Sequence, residues 1–282
     1  VDIQNEFNDL IIQKSNGTSV TASNHPIKVK NELDVISGDL NINQMVTKPD
    51  LDVDGDFKIQ NGAFVNFFGY EMKINLGGSY LNYNTMPFVG GFQNFGLAGA
   101  FTFDGNGTHD ICAGNTTMWG DTVKFVNGGI YNMKSQMDLT NSILNIVGGK
   151  IAVDNDTMVL NQFSLNANYG ANNYIITDGN GAVKVNGIGF GDTLNIPVGV
   201  DGNSYTPVKI INNGTMDDFF VAVKKGVKTN GTSGNSIPNG VVDVTWEVEE
   251  ANVGGSDVEM IFEWKATDEK VGFNRNIAKV FH

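Results

Sequence analysis

Leu33-Asp-Val-Ile-Ser-Gly-Asp-Leu-Asn-Ile42 (LDVISGDLNI) contains the unit on which the reading of this chain turns. Two apolar-x-apolar triplets, Leu33-Asp-Val35 and Leu40-Asn-Ile42, flank a Ser-Gly-Asp break. Alternation with period two sends the apolar side chains to one face of a strand, and Gly and Asp punctuate strands with turns. The unit returns as Leu51-Asp-Val53, Phe57-Lys-Ile59, Met72-Lys-Ile74 and Leu81-Asn-Tyr83. Further along it recurs as Phe101-Thr-Phe103, Val123-Lys-Phe125, Leu144-Asn-Ile146, Ile151-Ala-Val153 and Phe163-Ser-Leu165. Leu33 to Leu51 is 18 residues, Leu40 to Phe57 is 17 and Leu51 to Met72 is 21. A drifting period of about 20 lies in the range of stacked repeats.

The physical reading is a parallel β-helix-like coil over residues 27–170. Each turn packs its inward side chains on the turns above and below, with Asn and Gly at the corners. The alternative is an antiparallel sandwich of hairpins, for which Asn61-Gly62 and Asn127-Gly128 supply turns. Residues 1–26 read as a cap or lead-in. The Gly- and Phe-rich stretch Phe88–Thr108 departs from the rhythm and reads as a broadened turn. Phe88, Phe92 and Phe95 are its candidate aromatic contact surface, with Tyr80 and Tyr83 nearby in sequence.

From residue 171 onward the strand-like pieces lengthen, as in Phe219–Lys224, Val241–Glu249 and Val258–Trp264. About seven strands over residues 171–282 fit an antiparallel, Ig-like β-sandwich, with Trp246 and Trp264 as anchors of its core. The expected fold is therefore all-β, a repetitive parallel coil followed by an antiparallel sandwich.

The second half carries a resemblance. Its pieces are Tyr174–Lys184 (YIITDGNGAVK), Ile196–Gly199 (IPVG), Ser204–Ile210 (SYTPVKI), Val244–Glu249 (VTWEVE), Gly254-Gly-Ser256 leading into Val258–Trp264, and Gly272–Arg275 (GFNR). They resemble a C-terminal module of large repetitive surface and gliding- or adhesin-associated proteins of Bacteroidetes-type bacteria. The resemblance implies a Gly/Asn-rich coil before the module and export by a type IX secretion route. That route uses a C-terminal sorting domain, and none is legible before His282. The chain is expected to be part of a longer protein.

Composition bounds the partners. The net charge is −13 and Arg275 is the only arginine, so the basic footprint that phosphate neutralisation requires is missing and nucleic acid is not expected as a partner. The 35 Gly and 37 Asn make about a quarter of the chain, as expected for many tight turns. No run of 18 apolar residues is long enough to span a bilayer. Cys112 is the only cysteine, so an intramolecular disulfide is excluded, and it reads as a small buried hydrophobe.

No catalytic constellation is legible. The acidic residues alternate with apolar ones on single strands, which is the pattern of a solvated outer face. His25, His109 and His282 are scattered, and no P-loop, nucleophile elbow or metalloprotease motif occurs. Asp50, Asp52 and Asp54 precede Gly55 in the order of a calcium loop, whose oxygens could converge on Ca²⁺ only if the backbone curled. Position twelve is Asn61, where an EF-hand needs a bidentate Glu. Thr122, Thr157 and Thr193 each stand in Asp-Thr-apolar, the O-glycosylation signal that the resemblance implies, and Asp-Thr is equally good turn chemistry. The expectation is a non-enzymatic, extracellular or outer-membrane surface protein, a stiff spacer with an interaction surface for surface glycans or other surface and secretion proteins. The alternatives are a carbohydrate-binding accessory module and, further off, a β-helix lyase or hydrolase.

Overall fold

The structure, a computed structural model, describes residues 5–15, 17–23, 26–43, 51–68, 71–85, 91–94, 98–165 and 168–280. Among them regular structure is all β, apart from two short 3-10 turns at Ala266–Asp268 and Arg275–Ile277. The coil is built on three faces. The first stacks the N-terminal half of Ile27–Ser37, then Leu51–Val53, Met72–Leu76, Gly99–Phe103, Thr122–Phe125 and Ile143–Ile146, all in parallel. The second stacks the rest of Ile27–Ser37, then Asp56–Ile59, Tyr80–Asn82, Thr108–Cys112, Ile130–Met133, Gly149–Ala152, Asn173–Ile176 and Val198–Gly199. The third begins with Ser19–Ser23, Asp39–Asn43, Phe64–Phe68 and Gly91–Asn94. About seven turns result.

Most of the triplets do what their alternation predicts, but Leu81-Asn-Tyr83 and Phe163-Ser-Leu165 are out of phase: the inward residues there are Tyr80, Asn82 and Ser164, while Tyr83 and Phe163 are exposed. Leu51 and Val53, Phe57 and Ile59, Phe101 and Phe103, and Val123 and Phe125 are all fully buried, while the residue between each pair is not. The repeat length differs from the sequence expectation. Paired positions run Ile27, Leu51, Ile74, Phe101, Val123, Leu144 and Leu165, which are 24, 23, 27, 22, 21 and 21 apart. The shorter spacings of 17 and 18 join strands of different faces, because each turn carries three strands of nearly identical pattern. The longest turn, at 27, contains the Gly- and Phe-rich stretch.

At the corners the chains come too close for side chains. A Cβ on Gly55 would lie 1.6 Å from the carbonyl oxygen of Asn31 one turn below, and one on Gly77 would lie 2.4 Å from that of Asp54. Glycine is needed there for contact between turns, and this fixes where the chain bends.

Parallel pairing continues beyond residue 171. Ala182–Ile188 pairs in parallel with Thr157–Asn161 on one edge and antiparallel with Asp217–Lys225 on the other. Val244–Glu250 completes that sheet. A second antiparallel sheet joins Thr193–Ile196, Val208–Asn212 and Val258–Phe262. Trp246 packs on Phe262 across the two sheets, with ring centroids 5.0 Å apart, and Trp264 lies against Trp246 and Phe273. Val208, Ile210, Phe219 and Val221 belong to the same buried cluster as the coil residues, so one hydrophobic core runs from the coil into the antiparallel sheets.

Candidate functional site

The aromatic side chains of the coil are mostly core. Tyr80, Phe101, Phe103, Trp119, Phe125 and Tyr131 are fully buried. Phe103 stacks on Phe125 at 4.7 Å, and Trp119 sits 5.3 Å from both Tyr80 and Phe101. Phe92 does not form a contact surface. It is buried against Phe67, Tyr80 and Phe101, because its strand stacks on Phe64–Phe68 with its ring turned inward. Tyr83 is 45% exposed, and Phe88 and Phe95 lie outside the described residues.

Asp52 and Asp54 converge on a protein cation. The Lys28 ammonium donates to Asp52 at 2.7 Å and to Asp54 at 2.8 Å. Asp50 lies outside the described residues. Leu51–Val53 is extended, so Asp52 projects from a flat strand, and Asp54 follows in the bend before Gly55. No group of three or more His, Cys, Asp or Glu side chains that could hold a metal occurs among the described residues. Burial, reinforced by Asp52 and Asp54, pushes the Asp104 carboxyl above the usual aspartate value.

Thr122, Thr157 and Thr193 each open a strand. Thr122 and Thr157 are half-buried and Thr193 is exposed. Two of the aspartates before them close local turns, Asp192 accepting from the Gly189 N–H at 2.7 Å and the Asp156 N–H donating to Val153 O at 2.8 Å, while Asp121 accepts from the Gly99 N–H of the neighbouring coil turn at 3.4 Å. His109 stacks on Tyr131, and its Nε2 is buried with no hydrogen-bond partner; His25 and His282 lie outside the described residues. Cys112 is half-buried and its thiol points at Asn82 O, 3.4 Å away.

Two surface features escaped the sequence reading. The first is a cleft of about 230 Å³ on the outer face of the sheet where coil and antiparallel strands meet. Thr157, Ala182, Ala222 and Glu247 line it across four strands, with Asn180, Phe220 and Glu249 alongside. Ala182 and Ala222 make the depression and the Phe220 ring makes one wall. Lys184 lies over that ring at 5.6 Å and pairs with Asp218, and Lys224 pairs with Glu247. The arrangement offers a hydroxyl, an amide and carboxylates beside a ring face. These are hydrogen-bonding groups for a small polyhydroxylated ligand, and no nucleophile–base pair accompanies them.

The second is a row of apolar side chains at one end of the same sheet. Phe163, Phe190, Met216 and Val253 are 76%, 80%, 70% and 102% exposed. Strand register brings them together. Asn161 pairs with Asn186, Ile188 with Asp217 and Phe219 with Glu250, so the four residues stand on loops at adjoining strand ends. The loops are tied by the Gly187 N–H donating to Asp218 at 2.9 Å and the Asn252 amide donating to Asp217 at 2.8 Å. Residues 162–165, 189–192, 213–216 and 251–257 contain no Lys or Arg and include Asp192 and Asp257. Residues 189–192, 213–216 and 251–257 each offer one large apolar residue among small and polar ones, and residues 162–165 (QFSL) offer Phe163 and Leu165, which is ordinary loop composition. Only the register turns four isolated residues into a patch.

No helix among the described residues is long and apolar enough to cross a membrane. Compared with known proteins, the chain matches no family model, no curated protein and no solved structure.

Proposed function

We propose that this chain is a non-enzymatic, exported surface protein of a Bacteroidetes-type bacterium, a stiff β-coil spacer that carries an adhesin-like contact surface. The observation that supports this best is the row Phe163, Phe190, Met216 and Val253, held on loops of a sheet continuous with the coil core. Large apolar side chains clustered on a surface mark interaction sites, whereas single ones need no explanation. A coil whose turns share one core transmits position along its length, which suits a spacer. The partner that fits is another surface or secretion protein. The acidic, Lys- and Arg-free loops disfavour an anionic lipid surface.

The test is adhesion of the purified chain to arrayed surface proteins and polysaccharides, with Phe163→Ser/Phe190→Ser alongside. Loss of binding in the double variant supports the reading, and equal binding sinks it. Export is tested separately by intact mass of natively purified protein. Hexose increments at Thr122, Thr157 or Thr193 are expected, and an unmodified protein removes the glycosylation arm.

A carbohydrate-binding reading is favoured by the cleft at Phe220, where a ring face and hydrogen-bonding side chains lie together. Polysaccharide binding lost in Phe220→Ala but kept in the Phe163→Ser/Phe190→Ser variant selects it over the display reading.

A further inference from the structure

The cleft where coil and antiparallel strands meet has a chemical bias. It lies on the outward side of its sheet, because Val183, Val221 and Val223 turn into the core and their neighbours along the strands turn out. Ala182 and Ala222 flank the Val183–Val221 pair, Thr157 pairs with Ala182, and Glu247 pairs with Ala222. These four residues form one row across four strands, about 14 Å long at three strand spacings. The two methyl groups at its centre, between longer side chains at its ends, make the depression. Phe220 pairs with Lys184 on one side and Glu249 on the other, and stands in the next row as the wall.

The polar groups of the lining are mostly acceptors. Asn180 donates its side-chain amide to Asn155 Oδ1 at 3.1 Å and keeps its own Oδ1 as an acceptor. Glu247 and Glu249 add carboxylates, and the Thr157 hydroxyl can accept or donate. The nearby ammonium groups are committed, Lys184 to Asp218 at 2.8 Å and Lys224 to Glu247 at 2.7 Å. Glu249 is exposed, and among the described residues it has no hydrogen bond or ion pair. An anionic ligand meets repulsion here. The lining complements a ring compound rich in donors, with hydroxyls for Thr157 and Asn180, an apolar ring face for Phe220 and a positive charge for Glu249.

We propose that the cleft is a binding site for amino sugars, with the sugar ring against Phe220 and its ammonium against Glu249. The proposal rests on the carbohydrate reading of the cleft and narrows it from sugars in general to cationic ones. A basic protein segment shares the charge but lacks the ring hydroxyls, and a uronic acid has the hydroxyls with the wrong charge.

Titration calorimetry of the whole chain with a glucosamine tetramer and with its N-acetylated counterpart tests this, in mildly acidic buffer where the amino groups are protonated. The glucosamine tetramer is expected to bind about fivefold more tightly, the worth of one partly solvated ion pair. Glu249→Gln alters an exposed side chain and leaves the fold intact, which circular dichroism and the melting curve verify. It is expected to bring the two affinities level without changing that of the N-acetylated tetramer. Glu259→Gln removes the same charge from the other antiparallel sheet and is expected to keep the preference. Tetralysine is expected to bind more weakly than the glucosamine tetramer, and a galacturonic acid tetramer not at all. Equal affinity for the two sugar tetramers, with binding lost in Phe220→Ala, overturns the proposal and leaves the carbohydrate reading standing, whereas no binding of either removes both. A preference that survives Glu249→Gln, or one that Glu259→Gln lowers just as much, also overturns it. So does tetralysine binding as tightly as the sugar, which points to a basic protein segment instead.

Discussion

The Thr177 hydroxyl closes a buried two-way bond with the backbone of Val223, accepting from its N–H at 2.7 Å and donating to its carbonyl at 3.1 Å. The two residues are 46 positions apart, and both are fully buried. Val223 faces Trp246 on one side, and on the other Ala182–Ile188 has run out, its pairing with Asp217–Lys225 beginning only at Val183–Val221. One side-chain oxygen therefore does the work of a missing strand residue.

Thr177→Val keeps the shape and strands both Val223 groups in the core. A loss of about 1–3 kcal/mol in urea unfolding is expected, the cost of leaving a buried polar group unpaired, and Thr177→Ser recovers most of it. A neutral Thr177→Val would mean that the backbone finds another partner there.

Gly55→Ala drives a methyl into the Asn31 carbonyl. The two turns must part locally, and a loss above about 2 kcal/mol is expected from overpacking. Gly62 has open space around its Cβ position and a φ of +84°, so Gly62→Ala costs only about 1 kcal/mol, from backbone strain alone. Thermal melts of the two variants separate steric contact between turns from conformational preference.

Acid is expected to loosen the antiparallel sheets before the coil. Hydrogen bonds from Arg275 and then Trp264 hold the Glu269 carboxyl below its ordinary value of 4.5. At Asp217 burial pushes upward, but hydrogen bonds from the Asn252 side chain and from the Asp218 and Asn252 backbones prevail and lower it. A depressed acid stabilises the fold above its unfolded value, and that contribution is lost as pH falls through the folded one. In the coil, Asp104 and Asp156 are raised, chiefly by burial, so their protonation favours the folded state as pH falls. Trp246 and Trp264 report on the sheets and Trp119 on the coil. The single-tryptophan variants should change emission at higher pH for the first pair than for Trp119, and the reverse order contradicts the assignment.

Calcium is expected to leave the melting temperature unchanged, since Lys28 already fills the space between Asp52 and Asp54. Lys28→Met should cost no more than about 1 kcal/mol, as these side chains are partly solvated. A calcium-dependent rise in the melting temperature would show that Asp50 and its neighbours assemble an ion site after all.

The coil was legible because most of its strands alternate, so Leu51-Asp-Val53 or Phe101-Thr-Phe103 declares its inward face unaided, whereas Leu81-Asn-Tyr83 and Phe163-Ser-Leu165 suggest the wrong phase because buried Asn82 and Ser164 are polar. Which triplet lies on which was not legible. Leu33 stacks on Phe57 and Leu51 on Ile74, and neither pairing can be told from its neighbours when all three faces use the same pattern. Phe92 misled as a surface residue because glycine-rich surroundings resemble a loop, while its burial is fixed by the strand beneath it. Thr177 did leave a trace. It occupies the inward slot two after Ile175, and a polar residue in such a slot announces a buried partner, but not its address 46 residues away. The apolar loop row was invisible for the same reason, since it exists only through register.

Ala182–Ile188 belongs to both halves of the molecule at once, parallel on one edge and antiparallel on the other. No cut on either side of it yields two finished pieces. Removed with the sheets, it leaves Thr157–Asn161 bare; left on the coil, it takes the neighbour of Asp217–Lys225 away. A fragment engineered at residue 171 therefore inherits an adhesive edge. A pulling force along the coil reaches the sheets through this shared strand as well as through the Thr177–Val223 bond and the common core, so breaking one interface of the strand in shear loads the other.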